Sequence, residues 1–295
     1  MLARLIVTRL VLLVWYSTGR TTPGAALFGT KALQALLNIA VRAARRAGDV
    51  IIRHVDHVHK LTVTAKSRND FVSEVDRMAE AEIIQTIREF YPDHAFLAEE
   101  SGSQGESENV WIIDPLDGTT NFLHGFPMFS VSIALQTKGR LEHGVIYDPM
   151  RQELFTASRG DGAQLDGRKI RVTNRKNLEG ALIGTGFPYR ANRRFMQEYI
   201  GMFRAIAENT VGIRRAGSAA LDLAYVAAGR LDGFWELGLG PWDMAAGTLL
   251  VREAGGHVTD LDGDDTFLES GNIVAAPSKL LTSILAELRP HLPKS

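Results

Sequence analysis

The sequence predicts an α/β (α+β) fold in two closely packed lobes, and three observations carry that prediction. Residues 31–53 and 74–90 repeat apolar side chains at helical spacing. From residue 130 to 170, strand-like runs follow one another as an antiparallel meander rather than a βαβ series. Beyond about 180, strands and helices alternate. A lobe boundary is therefore expected near 175–185, with residues 31–180 in one lobe and 181–295 in the other. Of the 295 residues, 45% are hydrophobic, enough to fill such a core.

The elements follow in order. Leu33, Leu37, Ala40, Ala44 and Ala47 share one face of the first helix, and Arg42, Arg45 and Arg46 lie elsewhere. Ser73 is the expected N-cap of the second helix, with Asp76 in the capping-box position and Pro92 beyond its end. "HAFLAEE" reads as a short strand delivering Glu99 and Glu100 to its tip, "SGSQGESEN" as a polar loop, and "VWIID" as the next strand. "SVSIALQT", "LEHGVIYD" and "ELFTAS" form the meander, punctuated by Lys138-Gly139-Arg140, Asp148-Pro149-Met150-Arg151 and Gly160-Asp161-Gly162. Asp166-Gly167 in "AQLDGRKI" is a two-residue hairpin signal.

In the second half, "ALIGTGF" and "VGIRRAG" read as strands around a helix at about 191–208. "SAALDLAYVAAG" is a helix, "LDGFWEL" a strand, "WDMAAGTLLVREAG" a helix, 272–276 a strand, and a last helix starts near 278.

Residues 1–30 stand apart as an N-terminal extension, read as dispensable or as a misplaced start. Their uninterrupted apolar run, Leu10–Tyr16, is seven residues, against the roughly 20 that a membrane span needs. With 33 basic and 34 acidic residues, the net charge of −1 provides no global field for nucleic acid or anionic membrane. There are no cysteines, which excludes disulfides and thiolate chemistry and leaves oxygen and imidazole as ligands. A cytoplasmic location is the expectation.

The chemistry concentrates in "WIIDPLDGTTNF", residues 111–122. An apolar strand ends in Asp114 and Asp117, and Pro115 between them lacks the N–H a strand needs to continue. Two carboxylates this close repel, so one takes up a proton unless cations share the site. Oxygen ligands favour Mg²⁺ or a similar hard cation. Gly118-Thr119-Thr120-Asn121 then opens a helix whose free N–H groups suit phosphate. Metal and phosphate in one crevice point to phosphoryl chemistry. Glu99, at a neighbouring strand tip, and Asp243, in the first turn of "PWDMAAG", are candidates to join the cluster. Asp76 reads as a capping residue. His54, His57 and His59 sit at a helix end with no motif beside them; His124 and His143 read as surface or packing residues.

These residues resemble the inositol monophosphatase family, most closely its bacterial SuhB-like branch, over roughly 31–290. The resemblance rests on "AEESG", "WIIDPLDGTTNF", "GPWDMAAGTLLVREAGG" and "RRAGSAALDLAYVAAGRLDGFWELGLG". It implies a layered αβαβα sandwich, a homodimer, lithium sensitivity, and Mg²⁺-dependent hydrolysis of myo-inositol monophosphates or similar polyol phosphates. By position, it implies that Glu99, Asp114, Asp117, Asp243 and the Leu116 carbonyl hold two or three Mg²⁺ ions and border the substrate. Asp114 would bridge two ions. Gly118 and Thr119 would contact phosphate, with Thr119 and Glu99 orienting the attacking water. Gly217, Ser218, Ala219 and Glu236 would line the sugar wall, with Arg214 a further substrate contact. Lys66 and Asp76 match positions near a third, looser metal. Two alternatives come with the resemblance. One is a phosphatase for sugar bisphosphates or nucleotide 3′-phosphates. The other is a partner of the RNA polymerase elongation machinery in ribosomal RNA antitermination, with Arg193-Arg194 and Arg214-Arg215 as contact points.

Overall fold

The computed structural model describes residues 23–60, 63–67, 70–188 and 194–292; the side chains of 23–33, 59–60, 63, 65–67 and 70–72 fall outside the description. The expected extension therefore lies outside it up to residue 22. Helix α1, Pro23–His54, starts earlier than the sequence pattern implied, and a proline suits the first helical position, where its missing N–H costs nothing. Of the described residues, those from 23 to 38 fall in one unit and those from Ile39 onward in a second. Within the second unit, Ala40, Ala43, Ala44, Ala47 and Ile51 are buried. Gly48 brings the helix onto Tyr147, whose Cε1 would lie 2.5 Å from a Cβ there.

A hairpin follows, β1 (Val63–Ser67) and β2 (Asp70–Ser73), which the sequence reading left unassigned. Helix α2, Glu74–Arg88, has the expected capping box: Val75 N donates to Ser73 Oγ at 3.2 Å and Ser73 N to Asp76 Oδ2 at 2.8 Å. Next come β3 (Ala95–Ala98), β4 (Gly102–Gln104), β5 (Asn109–Asp117) and a short helix α3 (Thr119–Leu123). The strands β6 (Ser130–Thr137), β7 (Arg140–Asp148), β8 (Glu153–Ser158), β9 (Gly162–Leu165) and β10 (Arg168–Lys169) complete the meander. They assemble in the order β10-β9-β8-β7-β6-β5-β3-β4, antiparallel except for the parallel pair β3 and β5. The loop reading of "SGSQGESEN" is corrected here, since Gly102–Gln104 pair with β3 as an edge strand. A three-residue strand at a solvated edge needs no apolar alternation to form.

The second sheet takes β11 (Leu182–Thr185), β12 (Gly212–Arg214), β13 (Gly233–Glu236), β14 (His257–Thr259) and β15 (Ile273–Ala276) in the order β12-β11-β13-β15-β14. β14 is another short edge strand that the sequence pattern did not mark. The helices are α4 (Met196–Asn209), α5 (Ala219–Ala227), α6 (Pro241–Glu253), α7 (Phe267–Ser270) and α8 (Ser278–Leu288).

Two cores give the layering. In one, α5 and α6 fill the space between the sheets, with Leu223, Met244, Leu249 and Leu250 against Ile146 and Phe155 of the first sheet and Phe234 and Ile273 of the second. In the other, Tyr199, Met202, Ile206, Leu280 and Ile284 of α4 and α8 pack on Ile183, Trp235 and Val274. With the part of α1 from residue 39 onward and α2 outside the first sheet, the order is αβαβα, as expected. Among the described helices, none is long and apolar enough to cross a membrane.

The close approach of α6 to β7 depends on Gly144, where a Cβ would lie 2.9 Å from Ala246 O and 3.2 Å from its Cα. Gly144→Ala is expected to destabilise the protein by about 1–3 kcal/mol through overpacking, measured as a lower urea midpoint.

Candidate metal centre

In an unbroken strand, residues three apart point to opposite faces, so Asp114 and Asp117 need a break to face the same way. β5 supplies it. Asp114 pairs with Ser132 and Asp117 with Ser130, and the register shifts between them at Pro115-Leu116. That bulge re-aims the carboxylates. Leu116 N donates back to Asp114 Oδ1 at 3.0 Å, and Thr119 Oγ1 lies 3.1 Å from Leu116 O. Gly118 takes φ of 96°, and a Cβ there would lie 2.8 Å from Met128 O, so glycine alone fits.

The parallel pairing of β3 with β5 brings the Glu99 turn beside this end, with Glu99 N donating to Ile113 O at 3.1 Å. Asp243 arrives from the first turn of α6, where Gly240 N donates to its Oδ2 at 2.6 Å. Ligand atoms of Asp114, Asp117 and Asp243 all lie within 4.8 Å of one another. Asp117 is anchored at the start of α5, its Oδ2 accepting from Ser218 Oγ at 2.6 Å and Ala220 N at 2.8 Å. Thr119 Oγ1 reaches Asp76 Oδ1 at 2.8 Å, joining the α2 cap to the motif. Asn121 Nδ2 lies 2.7 Å from Met128 O and 2.9 Å from Ala216 O, which ties the motif to the 216–219 segment.

Burial and mutual repulsion set the electrostatics. Burial, then Glu99, Asp117 and Asp243, push Asp114 well above the usual carboxylate range. Burial lifts Asp117 to about 6 against the pull of Ser218 and Ala220, and burial, Asp117 and Glu99 lift Asp243 to about 8. Among the described residues, no lysine or arginine forms an ion pair with these three aspartates. The donor set is all oxygen, and the missing partner is positive charge. Both facts fit a hard divalent cation.

The expected polyol wall lies alongside. Gly217, Ser218 and Ala219 lead into α5, and Glu236 ends β13. Glu236 occupies the space a side chain at Gly186 would need. Arg214 is exposed and donates to Ile213 O at 3.1 Å, whereas Arg215 lies 5.6 Å over the Phe187 ring and draws down the raised pKa values of Glu236 and Asp222. Asp222, fully buried in α5 with Oδ1 unpartnered among the described residues, escaped the sequence reading. Its signal was a single acid on an otherwise apolar helix. The side chain of Lys66 and all of Arg193 fall outside the described residues. Among the described residues no histidine joins the cluster; His54 Nδ1 lies 2.8 Å from Val50 O and His143 Nδ1 2.8 Å from Ser158 Oγ.

A layered sandwich that gathers buried carboxylates at a strand end is suited to metal-assisted chemistry. The model of the inositol monophosphatase family matches residues 32–293, and the chain belongs to that family. It is 56% identical over 268 residues to the Nus factor SuhB of Pseudomonas aeruginosa, covering 89% of this chain and 99% of that one. Among solved structures, the extragenic suppressor protein suhB of Bartonella henselae matches with a TM-score of 0.85 at 46% identity, covering 88% of this chain and 100% of that one. The inositol monophosphatase of Anabaena (Nostoc) matches at 0.79 and 40%, covering 89% and 98%.

The raised carboxyls give a pH dependence of definite sign. A folded-state value above the unfolded 3.8 means that the folded protein holds extra protons, so this contribution to stability is full below pH 3.8 and lost as pH rises through the folded values of about 6 and 8. In EDTA, Tm is expected to fall between about pH 4 and pH 8. Mg²⁺ should raise Tm more at pH 8 than at pH 6, because ligation needs ionised carboxylates. Thermal melts at each pH, with and without Mg²⁺, check both signs; a Mg²⁺ increment that ignores pH would count against the cluster.

Proposed function

We propose that the chain hydrolyses myo-inositol monophosphates and similar small polyol phosphates, with Mg²⁺ held by Glu99, Asp114, Asp117, Asp243 and the Leu116 carbonyl. The observation that carries this reading is the convergence of Asp114, Asp117 and Asp243 within ligand distance of one another, with no cation paired to them among the described residues. Bound divalent cations supply Lewis-acid charge for the phosphate and leaving oxygens and an acidified water. The chain's own groups do the rest. Asp114 would, as the resemblance implies, be shared between two ions. Gly118 and Thr119 border the phosphate. Thr119, its hydroxyl within reach of Asp76 and Leu116 O, orients the attacking water together with Glu99. The displacement is in line, with no covalent intermediate.

Support for a polyol comes from the wall. Glu236 is its acid; burial raises the pKa of Glu236 and of the buried Asp222, and Arg215 draws both down. A second phosphate would want more basic residues than this wall offers, which disfavours bisphosphate substrates. Hydroxyls can donate to Glu236, and the name of the Anabaena relative points the same way. The resemblance also supports a homodimer, lithium inhibition and a third ion near Asp76. A second reading has one observation in its favour: the P. aeruginosa relative is a Nus factor. On that reading the chain also serves the transcription elongation machinery as a binding partner.

Asp114→Asn is expected to lower kcat by 10²–10³, about 3–4 kcal/mol as for the loss of one preorganised electrostatic group, with the fold intact by circular dichroism. Near-wild-type turnover at saturating Mg²⁺ would remove Asp114 from the site. In a panel of phosphate esters, inositol monophosphate should exceed a sugar bisphosphate and a nucleotide 3′-phosphate in kcat/KM; the opposite order would sink the polyol assignment. Full rescue of a deletion strain by the same inactive variant would make the binding role the one the cell depends on.

A further inference from the structure

A buried acid outside the cluster has no role in the mechanism above. Glu80 lies on α2 at 4% exposure, and its Oε2 accepts the backbone N–H of Glu100 at 2.9 Å. Burying a carboxylate to satisfy one amide is costly, and neutral acceptors do that job elsewhere in proteins. The placement is what distinguishes it. Glu99 N is tied to Ile113 O of β5 at 3.1 Å, so the tip that presents Glu99 is pinned twice, once to the sheet and once to α2.

Glu80 also follows Asp76 by one helical turn. Residues four apart share a helix face, and Asp76 holds the Thr119 hydroxyl at 2.8 Å. One rigid helix thus braces both groups that the proposed mechanism assigns to the attacking water, Thr119 through Asp76 and Glu99 through Glu80. We infer that Glu80 is a positioning residue for Glu99, setting through the Glu100 amide the distance of that carboxylate from the aspartate cluster. The inference rests on the reading of Glu99 as a metal ligand. It reaches beyond that reading by giving α2 a role as the ruler of the site.

The surroundings make the test clean. A cavity of about 820 Å³ opens beside Glu80, lined also by Arg77, Ala81, Ile84, Arg88 and Glu100. A shortened side chain at 80 therefore adds to open space and leaves no sealed void. Glu80→Gln keeps the acceptor and drops the charge; Glu80→Asp keeps the charge and withdraws the acceptor by one methylene.

The experiment is calorimetric titration of the full chain with Mg²⁺, with Tm in EDTA recorded for each variant. E80D should raise the Mg²⁺ Kd about tenfold, the size typical of a lost outer-shell partner, and E80Q should keep the wild-type value. E99Q is the control. A weakened E99Q with an unchanged E80D overturns the inference and spares the metal assignment, as does a loss of Tm in E80D with no change in Kd. Equal weakening in E80Q and E80D overturns it too, because a loss that occurs with the acceptor still in place is not the loss of the hydrogen bond. An unchanged E99Q overturns the assignment of Glu99 itself. If E80D does not fold, E80A, which opens onto the same cavity, takes its place with the same expected rise in Kd.

Discussion

Carboxylates drawn together out of water repel one another, and the repulsion strengthens as the surrounding dielectric falls. That constraint governs the design of this molecule. Asp114, Asp117 and Asp243 come from a strand and a helix that packing brings face to face. Each is then held where repulsion would otherwise push it away: Asp114 by Leu116 N, Asp117 by Ser218 and Ala220, Asp243 by Gly240 N. The fold holds a repulsive arrangement in readiness, and a divalent cation is the species that turns it into an attractive one.

The rigidity needed for this comes from elements on several sides. The bulge at Pro115-Leu116 reorients β5, Asn121 ties that strand's end to the segment leading into α5, and α2 reaches the motif through Asp76. The aspartate cluster and the 216–219 segment are consequently one framework. Asp117 shows this most directly, because the same Ser218 that starts α5 also donates to its carboxylate.

Much of this was legible in the sequence, for physical reasons that differ by element. The motif at 111–122 announces itself because a proline and two acids at the end of an apolar strand serve no packing purpose. Ser73 and Asp76 showed the start of α2 through ordinary cap chemistry. The meander was visible through its turns. What escaped was short, or buried where charge is unexpected. β4 and β14 are three-residue edge strands with too few positions to show a period. Asp222 and Glu80 lie within helices, where an acid looks like a solvated face until burial is known. Arg215 was overshadowed by Arg214 because both are exposed and only the end of β12 decides which of them acts on Glu236, and no pattern in "VGIRRAG" reports that.

The position of Asp243 along the chain has a bearing on synthesis. A ribosome making this protein releases Glu99, Asp114 and Asp117 long before α6 emerges, and the helices that cover the first sheet's inner face come late as well. An unfinished chain accordingly carries the early acids in an open, hydrated setting with no closing ligand. A chain that stops before α6 therefore lacks Asp243 and with it one of the three carboxylates of the cluster.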